Sequence, residues 1–169
     1  MIQKRVKPRS PHAQLTRMSS RWPDFVFALS LDNTTMIWEG KLRGFQKSYL
    51  VSVQWRFREA GVVPHVFILD PKLRPRSGGR YEDIPHLLFN RRNPTESALC
   101  LYDPDAKEWN PTMLIADTTV PWASEWLHYY ECWHLDGIWR GSNAPGPKCI
   151  GELYPAGAPD AAPTSAQSI

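Results

Sequence analysis

The hydrophobic pattern changes to strict alternation after residue 24. The first alternating segment covers residues 25–30, and the second runs from Thr35 to Lys41 with Met36 and Trp38 in register. The clearest alternation lies between Tyr49 and Phe57, and a fourth apolar segment, 66–69, follows Pro64. Period-two patterns joined by short turns are typical of antiparallel strands. The sequence therefore predicts a four-stranded antiparallel meander.

Two segments have the features of helices instead. Residues 11–21 predict a short helix that ends before Pro23. The second helix begins near Pro121, which suits a first turn, and ends near Gly137, which suits a left-handed cap. Along it, aromatic residues recur at helical spacing: Trp122, Trp126, Tyr129 or Tyr130, and Trp133. This aromatic stripe predicts packing against the meander, which makes the fold class α+β.

Charge and composition set the limits of the folded part. The formal net charge is +3, but the first 21 residues carry only basic charges. They are Lys4, Arg5, Lys7, Arg9, Arg17 and Arg21. We predict a disordered basic arm over 1–10, one folded domain over 11–142, and a disordered Pro- and Ala-rich tail over 143–169. Whether the arm is merely solvated or binds an acidic partner or nucleic acid stays open.

Three cysteines, Cys100, Cys132 and Cys149, follow no regular spacing. An odd number without a signal peptide indicates free thiols and a cytoplasmic protein. We also expect no membrane association, because no apolar run approaches the length of about 20 residues that a spanning helix needs. Of the three, Cys100 stands out because it ends a long polar connection, 70–98, that carries Arg91 and Arg92. Long irregular loops usually have a function, and nearby cations favour the reactive thiolate.

Several segments, taken in order, resemble the ubiquitin-conjugating enzymes. The resemblance covers roughly residues 20–141 and rests on these motifs: Trp38-Glu39-Gly40, Ser48-Tyr49-Leu50-Val51, Pro64-His65-Val66, Leu99-Cys100-Leu101 and Trp109-Asn110-Pro111. The aromatic segment 121–141 is more similar to the prokaryotic branch found in anti-phage cyclic-oligonucleotide signalling (CBASS) operons. The resemblance implies the fold of that family: an N-terminal helix, the meander, an active-site loop and a crossing helix.

The resemblance to ubiquitin-conjugating enzymes also implies an acyl-transfer reaction. Cys100 would accept the C-terminus of a partner polypeptide as a thioester and pass it to an amine. In the prokaryotic branch the partner is a cyclic-oligonucleotide synthase, a CD-NTase-type nucleotidyltransferase, and an activating enzyme is a possible second partner. Asp103 and Asp105 are candidates for orienting the acceptor amine.

The chain departs from the family before the cysteine. The family's His-Pro-Asn triplet is missing, and its nearest counterparts are His86, Asn90 and Asn93. Either asparagine would be the candidate donor to the oxyanion, and either would equally serve as a turn residue. The two C-terminal helices of eukaryotic members are also absent from the sequence pattern.

Other functions remain as alternatives. A catalytically silent adaptor would keep the fold and bind the synthase, and a thiol hydrolase would pair Cys100 with His86 or His65. A zinc site on His128, Cys132 and His134, with Cys149 as a fourth ligand, lacks the usual ligand spacing, so we expect no metal and no cofactor. The basic loop around Gly78-Gly79 lacks a strand-loop-helix context, so we do not expect nucleic-acid binding.

Overall fold

A computed structural model describes residues 7–103 and 107–141 of the chain. Two α-helices flank six β-strands, in the order α1, β1 to β6, α2. Their bounds are α1 Pro11–Arg21, β1 Val26–Leu29, β2 Met36–Arg43, β3 Ser48–Trp55, β4 His65–Asp70, β5 Leu87–Leu88, β6 Ala98–Leu99 and α2 Thr119–Asp136. The predicted α+β class is therefore confirmed. Within the described ranges, neither helix has the length and apolar character needed to cross a membrane.

Helix α1 begins where its sequence predicts. The Ser10 side chain accepts a hydrogen bond from the backbone N–H of Ala13, and Pro11 opens the first turn. Inside the protein, Gln14 is fully buried. Its side chain donates to the carbonyl of Met113 at 2.9 Å and accepts from the N–H of Ile115 at 2.9 Å. These two bonds attach α1 to the segment that leads into α2.

The sheet contains the predicted meander and extends beyond it. Strand order is β1-β2-β3-β4-β6-β5, and all pairs are antiparallel. The prediction of four consecutive strands is confirmed, but β5 and β6 were missed. Each has only two residues, too few to produce a periodic pattern, and β6 joins the sheet through a non-local pairing of Phe67 with Ala98. The connection 70–98 is therefore not irregular throughout, because its second half forms a hairpin.

One face of the sheet forms the main core with α2. Val51, Val53, Trp38 and Val66 point to this core and are almost fully buried. Ser52 and Gln54 of β3 point to the opposite face and are also buried. There the Gln54 side-chain amide donates to the Ser52 hydroxyl at 3.1 Å. The alternation in β3 therefore separates an apolar face from a polar face, rather than a buried face from an exposed one.

Helix α2 holds the aromatic stripe. Trp126, Tyr130 and Trp133 are buried in the main core, whereas Trp122 and Tyr129 are half-buried at its margin. The helix ends at Gly137, whose φ of 84° is the left-handed conformation expected there. The predicted cap is confirmed, and the helix starts two residues before Pro121. The marginal aromatic residues form part of a cavity described below.

Candidate active site

Cys100 is the first residue after β6. Its backbone N–H donates to the carbonyl of His86 at 2.9 Å, which extends the β5–β6 pairing by one step. The thiol is half-buried and reduced, and its Sγ lies 3.9 Å from the carbonyl oxygen of Tyr102. Apolar residues on one side, Phe67, Leu88 and Ala98, hold the side chain in place. A strand end therefore fixes the position of Cys100, and the cysteine remains partly accessible.

Cys100 opens onto a cavity of about 500 Å³. The wall contains both aromatic rings and carboxylates, a combination that suits an amphipathic ligand. Its lining residues are His86, Cys100, Leu101, Tyr102, Asp103, Glu108, Trp122, Glu125, Trp126, Tyr129, Trp139 and Gly141. Among these described residues none is Lys or Arg. The carboxylates Asp103, Glu108 and Glu125 therefore give the cavity a negative character.

His86 is the predicted site residue that the structure brings to Cys100. Its backbone is left-handed, with φ at 53°, which is unusual for a residue other than glycine. In this conformation its carbonyl accepts two hydrogen bonds of 2.9 Å, from Cys100 N–H and from the indole Nε1–H of Trp126. Burial lowers the pKa of His86 below its ordinary value of 6.5. The imidazole is therefore mainly neutral at physiological pH and able to accept a proton.

A return of the chain after α2 completes the cavity wall. Beyond Gly137 the chain turns back, and Trp139 stacks on His86 with ring centroids 4.9 Å apart. The same indole contacts Trp126 at 5.5 Å and Tyr129 at 5.8 Å. In the sequence, Trp139 is part of the segment 121–141 that is similar to the prokaryotic branch, and its pattern predicts no role in the site. An aromatic residue just past a glycine-capped helix is the signal that points to such a return.

Asn90 and Asn93 lie at the other end of the β5–β6 hairpin. The Asn90 Oδ1 accepts from the backbone N–H groups of Arg92 and Asn93 at 3.0 and 3.1 Å. Asn93 Oδ1 accepts from Thr95 at 3.1 Å. Because His86 is opposite Cys100, Asn90 is four residues farther along, a distance on the order of 10 Å. The structure therefore brings His86 to Cys100 but not the two asparagines, whose amide oxygens stabilise the turn.

Of the two acidic residues predicted to orient the amine, only Asp103 lies within the described residues. Asp103 lines the cavity, and its backbone N–H donates to Glu108 Oε2 at 2.8 Å. Asp105 lies outside the described residues. Sequence reasoning missed Glu108 and also missed Glu125, which accepts from the Tyr129 hydroxyl at 2.7 Å. Glu125 is one turn of α2 from Tyr129, so helical spacing was the available signal.

His65, the second candidate partner for a hydrolase, belongs to the core. It precedes Phe67 by two residues on β4, and Phe67 pairs with Ala98, two residues before Cys100. The register therefore sets His65 at the same end of the sheet as Cys100. The side chain is only 7% exposed, and burial, together with the charge of Arg56, lowers its pKa to about 4. A buried, neutral imidazole of this kind is a weak base.

The proposed zinc ligands do not form a cluster in the described part of the chain. No group of three or more His, Cys, Asp or Glu residues with metal-binding geometry occurs there. His128 is exposed and packs edge-on against Phe45, while Cys132 and His134 line a separate groove. Cys149 lies outside the described residues.

Comparison with known proteins identifies the family. No curated protein matches the chain. A family model described as Type II CBASS E2 protein matches residues 14–147, which is most of the 169-residue chain. The matched range includes α1 from Gln14 onward, all six strands, Cys100 and α2. The chain therefore belongs to the family of type II CBASS E2 proteins.

Proposed function

We propose that Cys100 carries the C-terminus of a partner polypeptide as a thioester and passes it to an amine, as ubiquitin-conjugating enzymes do. Membership of the type II CBASS E2 family supports an E2-like role in CBASS defence. The observation that carries the chemical proposal is the position of Cys100. The thiol is half-buried at the wall of a cavity of about 500 Å³, next to a neutral histidine.

Two steps account for the bonds made and broken. In the first, the Cys100 thiolate attacks the carbonyl carbon of an activated acyl group, such as a thioester on an activating enzyme. A new C–S bond forms, and the leaving thiolate departs with its electron pair. In the second, an amine attacks the Cys100 thioester, a C–N bond forms, and the Cys100 thiolate leaves. The amine must lose a proton in this second step.

His86 is the proposed acceptor of that proton. Its ring borders the same cavity as Cys100, and its lowered pKa keeps the ring unprotonated near pH 7. The carboxylates of Asp103, Glu108 and Glu125 would attract and orient a cationic amine before it is deprotonated. We do not propose Asn90 or Asn93 as oxyanion donors.

The acyl donor is proposed to be the cyclic-oligonucleotide synthase of the defence system, in the cytoplasm. This assignment rests on the family and not on a contact in the molecule.

Cys132 offers a matched control for testing the thioester, because it is also half-buried and reduced. Wild type, Cys100→Ser or Cys132→Ser is co-expressed with the synthase and the other proteins of the defence operon, which supply the activated acyl group. Intact masses are recorded before and after treatment with a thiol. In wild type and in Cys132→Ser we expect an adduct with the summed mass of both proteins less one water. Added thiol cleaves it and a phosphine reductant does not, which distinguishes a thioester from a disulfide. In Cys100→Ser the adduct is lost or replaced by an oxyester that resists the added thiol.

Two other outcomes would replace the proposal. If no adduct forms and Cys100→Ser binds the synthase as wild type does, the protein is a catalytically silent adaptor. If a shortened synthase is released and no adduct or amide product accumulates, Cys100 belongs to a thiol hydrolase.

The role of His86 is tested on the preformed thioester. Aminolysis by free lysine is followed at pH 7 in wild type, His86→Gln and His65→Gln. Loss of a general base slows the reaction by about 100-fold. We expect that loss in His86→Gln and little change in His65→Gln. Equal rates in all three proteins would remove His86 from the mechanism and leave the thioester itself intact.

A further inference from the structure

A second groove lies along the other side of α2. It has a volume of about 530 Å³ and is formed by the turn between β2 and β3, the segment after β4, and the second half of α2. We call it the basic groove, defined by Phe45, Gln46, Lys47, Tyr49, Pro71, Lys72, Arg74, Tyr130, Glu131, Cys132, His134 and Leu135. None of these residues lines the Cys100 cavity.

The charge of the groove is predominantly positive. Lys47, Lys72 and Arg74 line it, and in the described part of the chain none of them forms an ion pair with a carboxylate. The Lys72 ammonium donates to the backbone carbonyls of Ile68 and Thr95, at 3.3 and 3.4 Å. Glu131 is the acidic member of the lining. Its two oxygens accept from the backbone N–H groups of Gln46 and Lys47, at 2.6 and 3.2 Å, which fixes the β2–β3 turn.

Large apolar side chains stand beside these cations. Phe45 is 55% exposed and Leu135 is 82% exposed, the latter on the solvent side of the last helical turns. Buried tyrosines, Tyr49 and Tyr130, form the floor between them. Exposed apolar groups next to a polar rim are typical of protein interaction sites. Cations alone would attract any polyanion, but this combination favours a ligand with both acidic and apolar groups.

Helical geometry separates this surface from the reactive thiol. Residues of an α-helix are 100° apart around the axis, so Glu131 and Leu135 face away from Trp122 and Trp126. Trp122 and Trp126 border the Cys100 cavity, whereas Glu131 and Leu135 border the basic groove. A ligand bound in the groove therefore leaves the thiol accessible.

We propose that the basic groove binds an acidic segment of a protein partner, with a Leu or Phe side chain of that segment packed between Phe45 and Leu135. Charge complementarity selects the acidic residues, and the exposed aliphatic side chain of Leu135 favours a peptide over a nucleic acid. A phosphate backbone would gain nothing from the exposed Leu135. The site supplies binding energy for the partner at a distance from the chemistry.

The test uses the full chain and a labelled peptide in which Glu alternates with Leu and Phe. Binding is measured by fluorescence anisotropy for wild type, for Lys47→Glu/Arg74→Glu, and for Lys41→Glu/Arg91→Glu. The last variant makes the same change in net charge at exposed cations outside the groove. We expect the groove variant to bind about tenfold more weakly than wild type and the control variant to bind nearly as wild type does.

Two further measurements separate the charged contacts from the apolar contacts: one changes the peptide and the other changes the groove. A peptide with every Glu replaced by Gln is expected to lose most of its binding, and Phe45→Ser is expected to weaken binding of the acidic peptide. The proposal is overturned if both charge variants weaken binding equally, if the Gln peptide binds as well, or if single-stranded RNA binds the groove more tightly than the peptide. None of these readouts depends on Cys100, so failure here leaves the thioester proposal untouched.

Discussion

His65 makes a quantitative prediction about stability and pH. The perturbation is His65→Gln, which replaces a buried imidazole by a neutral polar side chain. In the folded protein the pKa of His65 is about 4, compared with an ordinary value of 6.5, because burial and the charge of Arg56 disfavour the protonated ring. In the unfolded chain the ring regains its ordinary pKa.

The sign and size follow from this difference. Between pH 6.5 and about 4 the unfolded state binds the proton and the folded state does not, so stability is complete above pH 6.5 and falls as the pH falls. The gap of about 2.5 units, at about 1.4 kcal/mol per unit, gives a loss of about 3 kcal/mol. The loss is almost complete near pH 4, below which the folded protein also binds the proton.

Urea unfolding at a series of pH values measures the effect, with tryptophan fluorescence as the signal. The series runs from pH 7.5 to 4.5, because Asp117 and Asp136, whose pKa values are lowered from 3.8, affect stability below that range. In wild type the free energy of unfolding falls by about 1 kcal/mol per pH unit in the lower half of the range. In His65→Gln this slope is reduced, whatever the absolute stability of the variant. The slope that remains includes the contribution of His86, whose pKa is also lowered by burial.

An equal slope in the two proteins would refute the reasoning, because it would mean that His65 is protonated inside the folded protein or that water reaches it. The rate at which iodoacetamide alkylates Cys100 supplies a second check. We expect this rate to be the same in His65→Gln and wild type at pH 7.5.

Four further changes test other parts of the structure. Gln14→Leu removes both buried bonds between α1 and the segment before α2, and we expect a loss of about 2–4 kcal/mol in urea unfolding. Gly137→Ala forces a side chain into the left-handed cap, with φ at 84°, and is expected to cost about 1 kcal/mol by the same assay. Trp139→Ala exposes the ring of His86, so its pKa, followed by NMR titration, is expected to rise toward 6.5. Asn90→Ala loosens the hairpin turn, and we expect alkylation of Cys100 to keep its wild-type rate.

Local pattern was sufficient for the elements that are long or carry their own signals. The alternation from Tyr49 predicts β3, the proline after Ser10 predicts the start of α1, and Gly137 predicts the end of α2. The choice of Cys100 among three cysteines also came from sequence, through its loop and through a resemblance. Its role as a thioester carrier stays a proposal.

Tertiary structure decided which residues stand beside that thiol. The β5–β6 hairpin sets His86 against Cys100 and holds Asn90 at the opposite end, although both precede the cysteine at similar sequence distances. The turn after α2 adds Trp139 to the same wall. These arrangements depend on non-local hydrogen bonds and ring contacts, which leave no periodic trace in the sequence. Residue type and spacing were enough to predict helices and strands, but only the packing of distant segments determines which side chains share a cavity.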